Sequence, residues 1–205
     1  MKNSFQFAKM RTFAFILFNF ISFADYGQGY FGIKGGLNIC DVVMNDITNP
    51  DAEDDFNFKL GVHSGFFANV AFNDSWGAAA ELLYSGKGVK AAGTVINLHY
   101  VVLPLLLQYA IADNLKAEGG FELGYLVLAD SKYGTVYSWN NKLDLGLDIG
   151  LVFSLLKNAH MGVRFNAGIL NVIQPVDANS NFSNVKYQNR VLSLTVGYTL
   201  GNFLE

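Results

Sequence analysis

The chain has 205 residues, a length that suits one domain, and a formal net charge of −3 at pH 7. Apolar residues make up 51% of it, yet beyond the N-terminal region no stretch supplies the roughly 20 uninterrupted apolar residues of a membrane-spanning helix. Charged residues are few and nearly balanced in sign, so the sequence offers no basic patch for phosphates, and we expect no nucleic-acid partner.

The N-terminus predicts a secretory signal peptide. The basic residues at its start are Lys2, Lys9 and Arg11. Residues 12–24 then form an apolar segment of the length that such signals require. Cleavage is expected after Ala24 or after Gly27. We therefore assign residues 1–27 to a signal peptide and residues 28–205 to one exported domain.

In the rest of the chain, apolar residues alternate with polar residues or glycine in eight stretches, which predicts eight β-strands. The stretches are residues 29–42, 57–72, 76–87, 94–110, 115–128, 142–154, 161–171 and 190–203. The alternation is clearest in residues 142–153, where every odd position is apolar and the even positions are charged or glycine up to Val152. No helical period produces this split.

The connections between these stretches alternate in length. Compact turns are expected on one side, at residues 73–75, 112–114 and 155–160. On the other side, three long or moderate connections are expected at residues 43–56, 129–141 and 172–189, and a short one at residues 88–93. Short periplasmic turns and longer outer loops are typical of outer-membrane barrels. The sequence therefore predicts an all-β fold, an eight-stranded antiparallel up-and-down transmembrane β-barrel.

Alternation alone does not decide which face meets water, so a soluble exported barrel remains an alternative. The polar face is rich in glycine, which suits the crowded interior of a small barrel. The apolar face carries aromatic residues near the strand ends, as the interfacial girdles of membrane barrels do. These aromatic residues are Trp76, Tyr84, Tyr109, Tyr125 and Tyr198. We therefore expect the polar face inside and the apolar face in outer-membrane lipid.

Three motifs and a late Gly197-Tyr198 pair resemble the PorT-like outer-membrane β-barrel family of Bacteroidetes. The motifs are Gly-Ile-Lys-Gly-Gly-Leu-Asn at residues 32–38, Glu-Leu-Leu-Tyr-Ser-Gly-Lys-Gly at residues 81–88, and Tyr-Val-Val-Leu-Pro-Leu-Leu-Leu-Gln-Tyr at residues 100–109. The resemblance covers nearly the whole mature chain and implies the same barrel. Most members of that family have no assigned activity. The named member is linked to type IX secretion, a role that kinship of fold does not transfer.

The chain departs from that family at two positions. Val102 stands where the family usually has an acidic residue, and Gln108 stands where it usually has a lysine. The resemblance therefore does not carry over the family's lumenal acid–base pair.

Charged side chains of both signs gather on the face that is expected to point inward. They are Lys34, Lys59, His63, Glu81, Lys87, Lys116, Glu118, Glu122, Lys142, Asp144, Asp148 and Arg164. The interior of an eight-stranded barrel is only wide enough for its own side chains. Buried charges must pair, or they carry a heavy desolvation cost. We therefore expect a salt-bridged plug rather than an ion path or a wide pore.

Two long connections are candidate contact surfaces. The first contains Asp46 and the candidate contacts Asp51, Glu53, Asp54 and Asp55. Their spacing is not that of a regular calcium loop, so a solvated acidic loop is favoured over a cation site. The second, residues 172–189, is rich in asparagine and serine, which is ordinary for an exposed loop.

Catalytic chemistry finds little support in the sequence. The histidines are His63, His99 and His160, and His99 is the one expected on the outer face. The spacing places neither Ser64 nor Ser85 beside it, as an interfacial esterase would require. Cys40 is the only cysteine, so no intrachain disulfide can form. We predict no catalytic residue, cofactor or metal.

Two classes of function remain. The first is a non-enzymatic structural or interaction protein whose extracellular loops contact envelope proteins, surface ligands or lipopolysaccharide. The second is a narrow channel or an accessory component of envelope transport or secretion. The sequence gives no prediction of oligomeric state.

Overall fold

A computed structural model describes residues 28–46, 56–91, 94–131, 142–171 and 185–204, which form nine β-strands. The strands are β1 (Gly29–Asp46), β2 (Phe56–Asn57), β3 (Lys59–Ala71), β4 (Trp76–Ala91), β5 (Thr94–Ala112), β6 (Leu115–Ser131), β7 (Leu143–Ser154), β8 (Ala159–Gly168) and β9 (Val185–Leu204). Within these ranges, no helix is long and apolar enough to cross a membrane. The predicted signal peptide lies outside the described residues.

The eight long strands form a closed antiparallel ring. Its order is β1, β3, β4, β5, β6, β7, β8 and β9, and it closes where β9 pairs with β1 from Gly29↔Leu204 to Asp46↔Val185. The short β2, which precedes β3 in the chain and is separated from it by Phe58, pairs with the end of β4 at Lys90 and Ala91. Closure gives each of the eight long strands a hydrogen-bonded neighbour on both sides, as a structure in lipid requires. The predicted eight-stranded antiparallel barrel is confirmed.

The two ends of the barrel differ. Short connections at residues 72–75, 113–114 and 155–158 lie at one end, together with the start of β1 and the end of β9, and we name this the turn end. The opposite end, the loop end, carries the remaining connections.

Four strands extend further toward the loop end than the alternation predicts: β1 continues to Asp46, β4 to Ala91 and β6 to Ser131, and β9 begins at Val185. Three strands are shorter at that end than predicted, since β3 begins at Lys59, β7 begins at Leu143 and β8 ends at Gly168. The backbone ladder continues in these extensions although the apolar alternation has stopped, so the sequence pattern ends too early. At the turn end, β8 starts at Ala159 rather than at residue 161 because the Leu155 N–H donates to the Ala159 carbonyl across a tight turn.

Large apolar side chains cover the outside of the barrel. Phe66 is 63% exposed and Ile149 is 68% exposed, the reverse of a soluble fold. At the turn end, the rings of Trp76 and Tyr109 lie 4.8 Å apart between centroids. Toward the loop end, Tyr84 and Tyr125 flank Val101 in the sheet. The eight residue-to-residue steps of β5 from Val101 to Tyr109 span about 27 Å at roughly 3.4 Å per residue. At the tilt of a barrel strand this length covers most of an apolar band roughly 25 Å tall.

Candidate functional site

Glycines on the inner face make room for the polar lumen. A Cβ at Gly36 would overlap the carbonyl oxygen of Leu194 on the neighbouring strand and would lie 2.8 Å from Cε1 of His63. At Gly146 on β7, a Cβ would meet the amide of Asn166 on the neighbouring strand β8. The missing side chains therefore leave room for polar groups of neighbouring strands inside the barrel.

Arg164 forms the centre of the first lumenal cluster, which we name the arginine cluster. Its Nη1 and Nη2 donate to Oε2 and Oε1 of Glu81 at 2.9 and 2.7 Å, and its Nε donates to Oε1 of Glu118 at 2.7 Å. Lys34 Nζ donates to Glu81 Oε1 at 2.8 Å, and Gln108 Nε2 donates to Glu118 Oε2 at 3.3 Å. All four oxygens of the two carboxylates therefore accept hydrogen bonds. The guanidinium on β8 joins β4 and β6 across the barrel.

A second group, the lysine cluster, lies closer to the loop end. Lys87 Nζ donates to Glu122 Oε1 at 2.9 Å and to Asp144 Oδ2 at 3.1 Å, and Asn189 Nδ2 donates to the same Asp144 oxygen at 2.8 Å. The Lys87 side chain is 1% exposed, so its charge depends on these carboxylates. A chamber of about 20 Å³ lies between the two clusters and is large enough for one water molecule.

Neutral polar side chains complete the middle of the lumen. Nδ1 of His63 lies 2.8 Å from Oδ1 of Asn38, and Nε2 lies 2.9 Å from Oγ1 of Thr195. Because an amide oxygen only accepts, Nδ1 carries the proton and the Thr195 hydroxyl donates to Nε2. Asn38 Oδ1 also accepts a hydrogen bond from the Ser193 hydroxyl, and Asn38 Nδ2 donates one to the Ser85 hydroxyl. These bonds hold the Asn38 amide, and with it the His63 ring, in one orientation.

An apolar plug, which the strand alternation did not predict, closes the loop end of the lumen. The plug residues are Val42, Leu83, Val89, Ile96, Leu98, Tyr100, Val102 and Leu126. Leu98 is 0% exposed and Tyr100 is 1% exposed. The available signal was in β5, which is apolar on both faces from Val101 to Leu107. Strands buried on both faces are continuously apolar rather than alternating.

At the turn end, the lumen opens into a vestibule of about 260 Å³. Its wall includes Tyr30, Phe67, Asn69, Lys116 and His160, and its floor is the arginine cluster. His160, which was expected in the turn at residues 155–160, lies in β8, and the centroid of its ring is 5.1 Å from that of Phe67. The lumen therefore consists of a vestibule, two charge clusters and an apolar plug, in that order from the turn end.

The structure brings together most of the charged residues that the sequence singled out for the lumen. The remaining ones have separate partners. Asp148 has no ion pair among the described residues, and its Oδ1 accepts from Asn166 at 2.7 Å. Lys59 donates to the Lys87 carbonyl at 3.0 Å, and Lys116 donates to the Tyr30 hydroxyl at 3.4 Å.

Two groups of predicted residues lie elsewhere. Lys142 is exposed, because it precedes the first residue of β7 and does not enter the lumen. The candidate loop contacts Asp51, Glu53, Asp54 and Asp55 lie outside the described residues. Within the part of the chain that is described, no group of three or more histidine, cysteine or acidic residues could hold a metal ion.

A polar cluster on the outer surface was also missed. Nδ1 of His99 lies 2.6 Å from the Tyr84 hydroxyl, and its Nε2 lies 3.1 Å from Oδ1 of Asp130. The β5–β6 register shifts at this point, since His99 pairs with Leu128 and the next residue pairs with Leu126. The resulting bulge turns Asp130 outward beside His99, as bulges re-aim side chains.

This surface cluster lies beyond the aromatic row that bounds the apolar band. A hydrogen bond from Asn97 to Asp130, 3.1 Å long, and a further one from His99 lower the pKa of the Asp130 carboxyl. The cluster is therefore an exposed, hydrogen-bonded polar patch at the outer rim of the barrel.

Comparison with known proteins identifies the family of this barrel and solved structures that are similar to it. Residues 24–174 match the family model described as outer membrane protein beta-barrel domain. Among curated protein sequences, none matches the chain. The solved structure of Neisserial surface protein A is 14% identical and aligns with a TM-score of 0.53, over 82% of this chain and 96% of that one. At this level of identity, the likeness shows the fold alone.

Two further solved structures are similar at lower TM-scores. Ail of Yersinia pestis, in complex with the heparin analogue sucrose octasulfate, is 15% identical, with a TM-score of 0.49 over 85% of this chain and 99% of that one. The outer membrane protein OprG from Pseudomonas aeruginosa is 16% identical, with a TM-score of 0.43 over 86% of this chain and 98% of that one.

Proposed function

The chain belongs to the outer membrane protein β-barrel domain family and lies in the bacterial outer membrane, and from this premise we propose that it is a closed, non-enzymatic interaction protein that acts through its extracellular loops. The proposal includes removal of residues 1–27 as a signal peptide. It also includes the finer assignment to the PorT-like family of Bacteroidetes, which the motifs at residues 32–38, 81–88 and 100–109 support.

The filled lumen carries this proposal. Arg164 joins carboxylates of β4 and β6 across the barrel, and all four of their oxygens accept hydrogen bonds. Toward the loop end, the apolar plug is fully buried around Leu98 and Tyr100. An ion crossing this path would have to break buried ion pairs and then enter an apolar layer, and both steps are costly. A barrel filled in this way is closed to ions, so its loops are the part that can contact partners.

The lengths of the connections indicate which end of the barrel faces the cell exterior. Short turns of outer-membrane barrels face the periplasm and longer loops face outward. The turn end is thus periplasmic in this proposal. Residues 47–55, 132–141 and 172–184 connect strands at the outer end, and Asp51, Glu53, Asp54 and Asp55 are the candidate contacts among them. Envelope proteins, surface ligands and lipopolysaccharide are the proposed partners.

Single-channel recording tests the closed lumen. Refolded protein comprising residues 28–205, inserted into planar bilayers, is expected to give no steady conductance steps. Steps of uniform size would overturn the closed barrel and favour the narrow channel or the accessory component of envelope transport or secretion.

Crosslinking in the native host tests the role of the loops. A variant in which Asp51, Asp54 and Asp55 are changed to Asn and Glu53 is changed to Gln should lose the crosslinked partner bands. The matched control is Asp74→Asn with Asp113→Asn, which neutralises two carboxylates at the turn end. Equal loss of partners in both variants, or in neither, would contradict the proposal.

A further inference from the structure

The vestibule at the turn end is a cavity that the proposed loop function does not use. Its volume of about 260 Å³ lies just below the roughly 300–1,000 Å³ of pockets for drug-sized ligands. Its wall is made by inward side chains of the strands, and its rim by the turn at Leu156, Lys157 and Asn158. The space therefore suits a molecule smaller than a drug that arrives from the aqueous side of this end.

The charges around the vestibule do not balance. In its floor, Lys34 and Arg164 offset Glu81 and Glu118, and every oxygen of those carboxylates accepts a hydrogen bond. Lys116 and Lys157 also line the cavity, and among the described residues neither has an ion pair. The excess is two positive charges.

The carboxylate of Asp74 lines a smaller adjoining cavity and is exposed to solvent, where an ion pair would be weak. The vestibule therefore favours an anion, and lysine ammonium groups are common ligands of phosphate.

An unsatisfied acceptor supplies an independent indication of a ligand. Asn69 is 8% exposed, and its Oδ1, which is closed to solvent, has no hydrogen-bond partner among the described residues. The residue lines both the vestibule and the adjoining cavity. A buried acceptor left unsatisfied is costly, and rotation of the amide toward the cavity would let a hydroxyl group of a ligand satisfy it.

Aromatic rings line the same wall. The ring of Phe67 lies edge-on to those of His160 and Tyr30, with centroids 5.1 and 6.3 Å away. Such rings offer an apolar surface for the carbon skeleton of a bound molecule, next to the polar groups that would orient it.

We propose that the vestibule binds a small hydroxylated phosphate ester of the sugar-phosphate class. The phosphate lies between Lys116 and Lys157, a hydroxyl donates to Asn69 Oδ1, and the carbon ring rests against Phe67 and His160. The ligand is a free solute, because the cavity opens from the lumen to the turn end and not toward lipid. This site is independent of the loops on which the proposed function rests.

Calorimetric titration of the refolded barrel, residues 28–205 in detergent micelles, tests the ligand class. The probes are glucose 6-phosphate, glucose and inorganic phosphate. Saturable binding of one glucose 6-phosphate is expected, with at least tenfold weaker binding of glucose and of inorganic phosphate. Absence of saturable binding, or equal affinity for glucose, would overturn the proposal.

Variants locate the site. Lys157→Gln changes an exposed turn residue and should weaken glucose 6-phosphate binding severalfold without affecting folding. Together with Lys116→Gln, the loss should exceed tenfold, and Asn69→Leu should weaken glucose 6-phosphate but not inorganic phosphate. The matched control is Lys90→Gln, which removes an exposed lysine near the loop end. If Lys90→Gln weakens binding as much as Lys157→Gln does, the effect comes from the net charge of the protein and not from the vestibule. If binding is unchanged in Lys157→Gln and in the double variant, the vestibule is not the site.

Discussion

Arg164 forms a bidentate ion pair with Glu81 across the lumen: Nη1 donates to Oε2 at 2.9 Å, and Nη2 donates to Oε1 at 2.7 Å. The two side chains are 10% and 2% exposed, so the pair is formed almost without water. Replacing Arg164 with Met leaves the carboxylates of Glu81 and Glu118 buried with too little positive charge. We expect Arg164→Met to lower the free energy of unfolding by roughly 3–5 kcal/mol. Urea unfolding of the barrel refolded in lipid vesicles measures this change.

The double variant Arg164→Met with Glu81→Gln supplies the control for that prediction. Removing one of the two unbalanced carboxylates should restore part of the lost stability. If the single variant is as stable as the original protein, the arginine cluster does not hold the barrel together.

The assignment of the outer face gives a second prediction. Leu147 is 46% exposed and pairs with Phe121 and Ala167 in the middle of the apolar band. Arginine at the centre of a bilayer costs roughly 2–4 kcal/mol in a barrel strand, and roughly 0–1 kcal/mol near the interface. We therefore expect Leu147→Arg to destabilise the folded barrel in vesicles far more than Leu155→Arg. Leu155 is equally exposed, at 48%, but lies in a turn. Equal effects in urea unfolding would mean that lipid does not cover Leu147.

The strand pattern made the barrel predictable, because the period-two alternation reflects two different solvents on the two faces of each strand. Leu147 on one side and Asp148 on the other follow directly from that rule. The rule fails where both faces are apolar. Val102 points into the lumen, but Val101 and Leu103 on the outward face are apolar as well. Next to Leu98 the alternation is reversed, because the outward Asn97 and His99 are polar, so the plug could not be seen as an inner layer.

The clusters themselves were less predictable than the fold. Alternation assigns Glu81 and Arg164 to the inside, but their partnership depends on the order and stagger of strands that lie 83 residues apart in the chain. Similarly, the bulge between β5 and β6 shifts Asp130 to the outer face beside His99, and no local sequence signal marks that shift.

Close approach of backbones inside the ring gives a third prediction. A Cβ at Gly36 would overlap the carbonyl oxygen of Leu194, which belongs to the backbone of β9 and cannot rotate away. We expect Gly36→Ala to lower the free energy of unfolding by about 1–3 kcal/mol, the usual cost of overpacking. The neighbouring Gly35 is the matched control, because a Cβ there would lie 3.4 Å from the His63 carbonyl oxygen, an ordinary contact. Comparable stability of Gly36→Ala and Gly35→Ala would show that β1 and β9 can separate locally without cost.

The rim cluster gives a prediction about pH. Hydrogen bonds from Asn97 and His99 favour the ionised form of Asp130 and lower its pKa below the ordinary value for aspartate. A carboxyl whose pKa is lower in the folded state stabilises the fold at pH values above its unfolded pKa, and that contribution disappears as the pH falls through the folded pKa. Because Asn97 is the largest cause, we expect Asn97→Ala to move the Asp130 pKa back toward its ordinary value, as followed by the carboxyl carbon chemical shift in an NMR titration. Asn158→Ala, at an exposed turn at the other end of the barrel, should leave the titration unchanged. An identical Asp130 titration in the Asn97→Ala protein would mean that the 3.1 Å contact does not persist in solution.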